Sequence, residues 1–346
     1  MILRRTRPAS RSRVAVNVPT GGRGFEVTFE SASPLAASGD VDLVLSLQPA
    51  MMSGEDLKLA TSVSPRLLSN ATSLQEFFCS LDRHSLRADR HRGYRPIMVD
   101  AATAVPLARA RGVATFFNGR VDSIYSAIKH RDELSGLVFV AEGLRAATPE
   151  NVHSMATTIG LPLVEVRVDL DGLAFDFVTW GDYNGAILAA VAHLLRDSFT
   201  RFYVPTALTY SLVEPAVTDP ATDTLWSAED VELVHDGLEA NRLEKIELIA
   251  ARAPELLADL HVCAQNVDGG PNCGCCEKCV RTMIALRLAG ATDLCHSLPP
   301  VAAAVLDDIA PPDNQRPTWE QMCAAAHKRD PDLAQALDHL AEKPST

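Results

Sequence analysis

The sequence predicts an α/β fold with a doubly wound, mostly parallel sheet that is covered by helices on both faces. Short β-rich segments alternate with helical segments between residues 113 and 205, as in parallel sheets with crossover helices. The chain has 346 residues and is 47% hydrophobic, which suffices for one large domain or two small ones. Four of its eight cysteines lie within residues 272–279, which indicates a separate local site.

The N-terminal part, residues 1–108, is predicted to be a small α+β domain. It contains β-rich segments at residues 13–18, 25–30, 41–47 and 95–100, and one helical segment from Ser64 to Leu81. Such a domain can serve as a lid, a substrate platform or a dimer surface, so a homodimer is one expectation.

The central part, residues 109–297, begins with the strand Val113–Phe117 and the polar loop Asn118–Ser123. A helix follows, because Ile124, Ala127 and Ile128 share one helical face. Strand, loop and helix in this order can present backbone amides to an anion. The arrangement is common in α/β proteins, so it does not define a phosphate site by itself.

Further strands and helices follow in alternation. Thr148 is predicted to cap a helix with Pro149 at its first position. The predicted elements are strand 136–143, helix 149–160, strand 161–168, helix 181–196 and strand 201–205. Ligands of such sheets bind beyond the carboxyl ends of the strands, where the loop Asn118–Ser123 is placed.

A later helix carries two cations in its first turn. Asn241 is predicted as the N-cap, with Glu244 as its partner three residues later. Arg242 and Lys245 then lie where the helix dipole favours acidic residues. They indicate an anionic ligand near this helix end, or else solvated charges that pair with Glu244.

The cysteines Cys263, Cys273, Cys276 and Cys279 have the spacing C-x9-C-x2-C-x2-C. Four thiolates suit a structural, tetrahedral Zn²⁺ site without an open position. Cys275 falls between the spaced positions and is not a predicted ligand. An iron–sulfur cluster and a set of free thiols are the alternatives. In a reducing cytosol, clustered cysteines are metal ligands or catalytic thiols more often than disulfides.

The composition limits the partners. The net charge of −12 argues against general nucleic-acid binding and favours a small-molecule or peptide substrate. No run of eighteen apolar residues occurs, and no long apolar segment follows the five arginines of residues 1–16. A cytoplasmic location without membrane contact is therefore expected.

Two of these motifs together resemble a known superfamily. The segment FFNGRVDS is similar to the SGGxDS signature of the PP-loop ATP pyrophosphatases, within the adenine nucleotide alpha hydrolases. The cysteine motif, followed by a helix that contains Arg281, resembles the zinc-binding end of cyano-deazaguanine synthases. The resemblance covers roughly residues 109–290 and implies a Rossmann-like fold of the PP-loop type.

The resemblance implies chemistry on ATP with Mg²⁺. The loop would hold the pyrophosphate of ATP, with Asp122 near Mg²⁺ and with Arg242 and Lys245 on the far side. Asn118, Gly119, Arg120, Asp122 and Ser123 take the signature positions. Arg120 replaces a glycine and Asn118 replaces a serine. Arg120 is therefore either an additional phosphate ligand or the mark of a site that binds nucleotide poorly.

The predicted function is an ATP-dependent ligase that adenylates a substrate carbonyl oxygen for attack by a nitrogen or sulfur nucleophile. The alternative is a nucleotide-binding or scaffold protein with a degenerate loop and a structural zinc; a thiol redox protein is a third class. Deazaguanine chemistry is disfavoured by the additional N-terminal part, and transfer-RNA thiolation by the acidity. Asp219 and Asp223, in a predicted loop, and the neighbours His235 and Asp236 are weaker site candidates.

The C-terminal part, residues 298–346, is predicted to be a helical tail. Two of its segments each carry a proline near the start of a helical pattern. We expect these helices to pack on the central part.

Overall fold

The structure is a computed structural model. It describes residues 2–3, 13–20, 22–84, 93–106, 111–143, 149–170, 180–212, 219–263, 265, 272–302, 305–306, 309 and 315–341. The predicted cap Thr148 lies outside these residues.

The chain forms strands and helices in the following order. The strands are β1 (Ile2–Leu3), β2 (Arg13–Thr20), β3 (Arg23–Ser31), β4 (Leu57–Leu59), β5 (Val99–Asp100), β6 (Gly112–Phe116), β7 (Gly136–Glu142), β8 (Leu163–Leu170), β9 (Phe199–Pro205) and β10 (Glu232–Asp236). The helices are α1 (Gly39–Ser53), α2 (Pro65–His84), α3 (Val121–Lys129), α4 (Glu150–Ile159), α5 (Trp180–Leu194), α6 (Pro220–Leu225), α7 (Arg242–Arg252) and α8 (Glu277–Leu288), followed by Arg316–Arg329 and Pro331–Ala341.

The central sheet has seven strands in the order β10-β9-β6-β7-β8-β3-β2. The five strands from β10 to β8 are parallel, and β3 and β2 add an antiparallel hairpin beside β8. Numbered in chain order, the parallel strands run 3-2-1-4-5. This order reverses between β6 and β9, and such a switch point is where ligands of open α/β sheets bind. The predicted mostly parallel α/β sheet is confirmed.

The two faces of the sheet carry separate hydrophobic cores. Phe116, Val138 and Phe202 belong to the core that also includes residues of α1, α2 and α5. Their chain neighbours Phe117, Leu137 and Tyr203 belong to the core of α3, α4, α7 and α8. Successive strand residues point to opposite faces, so both faces are buried, as the apolar strands require.

The N-terminal residues contribute to the same sheet. The hairpin of β2 and β3 pairs with β8, and α1 packs against α5. The central sheet therefore continues across the predicted boundary at residue 108. A second, three-stranded sheet joins β1, β4 and β5.

The strand predicted at residues 41–47 is wrong, because this segment lies within α1. Ser38 accepts a hydrogen bond from the Val41 amide and so caps the helix. Every residue from Gly39 to Met51 is buried, so the helix has no polar face. An apolar run of this kind lacks helical periodicity and reads equally well as a buried strand.

The edge strand β10 is absent from the predictions. It is five residues long and pairs with β9 on one side. Short segments of mixed polarity give little periodic signal. The segment of Asp219 and Asp223, predicted as a loop, contains the short helix α6 with Asp219 as its N-cap.

The C-terminal elements agree with the predictions. Asn241 and Glu244 form the predicted capping box at the start of α7. The tail forms the two helices that follow α8, and the first of them packs on α8. None of the described helices combines the length and hydropathy that a membrane crossing requires.

Candidate functional site

A cavity of about 770 Å³ lies beyond the carboxyl ends of β6, β7 and β9, at the switch point of the sheet. One half is mostly apolar and faces α5. The other half is polar and lies between the loop 118–123, α7 and α8. The residues used below that line the cavity are Phe116, Asn118, Arg120, Asp122, Ser123, Val140, Glu142, Asn184, Leu188, Arg242, His261, Lys278, Arg281 and Gln315.

The loop 118–123 makes a tight turn, in which Gly119 has a positive φ angle and Arg120 does not. Gly119 has φ +70°, and a Cβ there would lie 3.3 Å from the Met155 sulfur and from Val152. The positive φ therefore favours glycine here, and a larger residue would also crowd Met155 and Val152. Arg120 has φ −96° and ψ 162°, an extended conformation that any residue adopts. Arg120 thus causes no backbone strain, and its side chain lines the cavity.

Asn118 holds the loop together from within. Its Oδ1 accepts a hydrogen bond from the Arg120 amide at 3.1 Å and lies 2.9 Å from Ser123 Oγ. Ser123 Oγ in turn accepts from the Asn118 amide at 3.2 Å. Arg120, the N-cap of α3, makes no side-chain hydrogen bond to the first turn. The amides of that turn therefore remain available to an anion at the positive end of the helix dipole.

Asp122 connects the loop to α7. Its carboxylate lies 3.2 Å from Lys245 Nζ and 3.5 Å from Arg242 Nη2. Burial alone would raise the pKa of Asp122, but the charges of Arg242 and Lys245 outweigh burial and lower the pKa. Asp122 is therefore an ionised carboxylate that already has two cationic partners.

Lys245 lies beneath the cavity and does not line it. Its side chain is 1% exposed, and Nζ donates to the carbonyl of Thr206 as well as to Asp122. A Cβ on Gly237 would lie 3.3 Å from Lys245 Nζ, so that glycine provides the space for the ammonium group. Of the two cations predicted on α7, Arg242 faces the cavity and Lys245 supports Asp122.

Two further cations come from α8. Lys278 and Arg281, one helical turn apart, line the cavity opposite the loop. Burial and the nearby Arg242 lower the pKa of Arg281 to about 10, although Glu277 opposes this. Burial and the charges of Arg120, Arg281 and Arg242 likewise lower the pKa of Lys278.

Neither Lys278 nor Arg281 is a predicted site residue. The sequence does contain one indication: Lys278 and Arg281, at the end of the cysteine motif, have i, i+3 spacing. This spacing places both side chains on one helical face. The two lining residues His261 and Gln315 carry no signal of this kind.

The four predicted cysteines are brought together. The sulfur atoms of Cys263, Cys273, Cys276 and Cys279 all lie within 4.8 Å of one another, and two of the pairs are 3.9 Å apart. Tetrahedral Zn–S bonds of about 2.3 Å place sulfur atoms roughly 3.8 Å apart. The cluster can therefore hold a metal ion such as zinc. Cys275 is exposed and lies outside it.

The surroundings of the cluster act differently on its thiols and hold the chain in place. Burial raises the pKa of Cys276 and Cys279. Burial opposes ionisation of Cys273, but amides of Cys275 and Cys276 outweigh it and lower its pKa to about 6. Asn272 Oδ1 accepts from the amides of Val262 and Cys263. Its Nδ2 donates to two carbonyls, so one side chain joins both cysteine-bearing segments.

The cluster and the cavity share one helix. Cys276 is the N-cap of α8 and Cys279 lies in its first turn, on either side of Lys278. Glu277 contacts Arg281 at 3.0 Å and accepts from Trp319 Nε1. The position of α8, and with it that of both cavity cations, therefore depends on the cysteine cluster.

The site candidates His235 and Asp236 do not pair with each other as an acid and a base. They are adjacent strand residues, so their side chains lie on opposite faces of the sheet. His235 Nδ1 is 2.6 Å from Asp223 Oδ2, and both side chains are buried. Asp236 accepts from Ser126 Oγ at 2.5 Å and from Lys129 Nζ at 2.7 Å. Neither residue lines the cavity.

The apolar half of the cavity is formed by strand ends and α5. Phe116, Val140 and Leu188 line it, together with the polar side chains of Glu142 and Asn184. A flat apolar group with a hydrogen-bonding edge suits such surroundings. The whole cavity thus combines a cationic half with an apolar half.

Comparison of the chain with protein-family models, with curated proteins and with solved structures finds no match.

Proposed function

We propose that the protein is an ATP-dependent ligase that adenylates a substrate carbonyl oxygen. The observation that carries the proposal is the cationic half of the cavity. Arg120, Arg242, Lys278 and Arg281 converge there, beside the free end of α3. Cations crowd in this way where a polyanion offsets their mutual repulsion.

The two halves of the cavity match the two parts of ATP. The phosphates would lie against the loop 118–123 and the four cations, and the adenine in the apolar half near Asn184 and Leu188. Charge gathers on the leaving pyrophosphate during adenylation. Fixed cations and amides aimed at that charge stabilise the transition state more than the ground state.

In the proposed reaction, a carboxylate oxygen of the substrate attacks the α-phosphorus of ATP. The new O–P bond forms as the bond from the α-phosphorus to pyrophosphate breaks. An amine or a sulfur nucleophile then attacks the activated carbonyl carbon and loses its proton. The C–O bond to the phosphate breaks, and AMP leaves with the original carboxylate oxygen. The cavity contributes chiefly by positioning the reactants.

The cofactors have distinct places in this proposal. Mg²⁺ accompanies the phosphates of ATP, as in the PP-loop enzymes that the chain resembles. Zn²⁺ is held by Cys263, Cys273, Cys276 and Cys279 and has a structural role. Its closed set of thiolates leaves no position for substrate, so zinc acts by fixing α8.

The test is pyrophosphate release from Mg²⁺-ATP in the presence of a panel of small carboxylic acids and amines. An active acid labelled with ¹⁸O should transfer one labelled oxygen to AMP. Arg242→Met should abolish release, whereas Lys58→Met, an exposed substitution outside the cavity, should leave it unchanged. Nucleotide binding without release for any acid would instead support a non-catalytic nucleotide-binding protein.

A further inference from the structure

The polar half of the cavity has many cations and few carboxylates. The described cations that line it are Arg120, Arg242, Lys278 and Arg281. The carboxylates among the described lining residues are Asp122 and Glu142, and Glu142 belongs to β7. Mg²⁺ requires oxygen ligands in octahedral geometry and is usually held through one or two carboxylates. The loop 118–123 offers one such carboxylate, that of Asp122.

That carboxylate is already engaged. Asp122 is 17% exposed and lies between Lys245 Nζ at 3.2 Å and Arg242 Nη2 at 3.5 Å. Lys245 cannot move away easily, because it is buried and also donates to the Thr206 carbonyl. A divalent cation at Asp122 would face both of these charges at short range, and like charges repel strongly in such a partly buried site.

The cations, by contrast, have hydrogen-bond donors and charges that are not paired within the described residues. The salt bridges at the cavity engage Arg242 and Arg281. Within the described residues, Arg120 and Lys278 form no salt bridge. Arg242 Nε is also buried and has no hydrogen-bond partner in the described part of the chain. These groups provide donors for several phosphate oxygens without a bridging metal.

We propose that the cavity binds inorganic pyrophosphate, or the end of a longer polyphosphate, in its magnesium-free form. Arg120, Arg242, Lys278 and Arg281 neutralise the ligand, and Asp122 positions Arg242 instead of holding a metal ion. This rests on the proposed function only in placing the phosphates in this cavity. The two can fail separately, because binding of pyrophosphate requires no adenylation.

The experiment is isothermal titration of the zinc-loaded protein with sodium pyrophosphate. The buffer is freed of divalent ions by a resin, so that no chelator attacks the cysteine cluster, and zinc content is measured before and after. We expect binding in this buffer and at least threefold weaker binding with saturating Mg²⁺. No binding without Mg²⁺, and binding with it, would overturn the inference.

Three variants sharpen the result. Lys278→Met should weaken magnesium-free binding at least tenfold, while the exposed control Lys58→Met should not change it. Asp122→Asn should leave magnesium-free binding equal or tighter, since it removes a negative charge. If Asp122→Asn weakened pyrophosphate binding, and did so more strongly at higher Mg²⁺ concentration, Asp122 would be a metal ligand. That result would contradict the inference. If the protein showed adenylation activity but bound pyrophosphate only with Mg²⁺, the inference would be overturned and the proposed function would stand.

Discussion

The two walls of the cationic half are built in different ways. The loop wall, residues 118–123, is held by its own backbone, by Asn118 and by the ion pairs of Asp122. The α8 wall depends on the cysteine cluster, because Cys276 and Cys279 flank Lys278 in the first turn of that helix. Changes in the first wall should therefore act on binding locally, and changes in the second should affect both binding and folding.

The largest expected effect comes from breaking the cysteine cluster. Cys276→Ser should cause unfolding or aggregation, because metal binding to such sites is coupled to folding and contributes about 10 kcal/mol or more in small zinc domains. Elemental analysis of the wild type should give about one Zn²⁺ per chain, and circular dichroism should report the loss of structure in the variant.

The matched control for this substitution is Cys275→Ser. Cys275 is exposed and lies outside the cluster. The melting temperature and zinc content of the Cys275→Ser variant should therefore stay close to those of the wild type. If removal of all metal left the melting temperature of the wild type unchanged, the α8 wall would not depend on an ion.

A second substitution disturbs the support beneath the loop wall. Lys245→Met leaves the carboxylate of Asp122 with one cationic partner fewer in a largely buried position. Removing one partner of a buried ion pair costs about 3 kcal/mol. Urea unfolding should show this loss, whereas Lys58→Met removes an exposed pair and should cost less than about 1 kcal/mol. If both variants lost the same free energy of unfolding, Lys245 would not stabilise the position of Asp122.

Asp236 gives a prediction with a defined pH dependence. Burial alone would raise its pKa, but hydrogen bonds from His130, Lys129 and Ser126 outweigh burial and hold the pKa well below the ordinary value. A lowered folded-state pKa contributes stability above the unfolded pKa of about 4, and this contribution is lost as the pH falls further.

Asp236→Asn should therefore lower the free energy of unfolding by about 2 kcal/mol at pH 7, and by less at pH 3. Urea titrations of wild type and variant at both pH values measure the difference. A difference that stays constant between pH 7 and pH 3 would show that ionisation of Asp236 is not its source.

The smallest expected effect concerns Arg120. Its backbone is extended and its side chain is exposed, so Arg120→Gly should change stability by less than about 1 kcal/mol. It should weaken pyrophosphate binding about fivefold, the scale of one exposed charge interaction. Tighter nucleotide binding in Arg120→Gly would mean that the arginine obstructs the cavity.

The sequence predicted those features that depend on local patterns. The capping box of α7 and the cysteine spacing are read directly from neighbouring residues, and both correspond to what the structure contains. Alternation of strands and helices likewise gave the parallel sheet. The strand predicted at residues 41–47 was wrong because α1 is buried on all sides and has no amphipathic period.

Other features depend on tertiary packing. The pairing of His235 with Asp223 joins α6 to β10, and the burial of Lys245 under Asp122 joins elements that are distant in sequence. Lys278 and Arg281 reach the cavity because α8 is placed by residues as distant as Cys263 and Trp319. No local pattern reports such relations, so the cationic half could be predicted only in part.

A crystal structure of the zinc-loaded protein with a non-hydrolysable ATP analogue tests the central claim most directly. The account predicts that the β- and γ-phosphates lie between the amides of residues 119–123 and the side chains of Lys278 and Arg281, with the base beside Leu188. A structure in which Arg120 occupies that space, and the nucleotide is bound elsewhere or not at all, would contradict it.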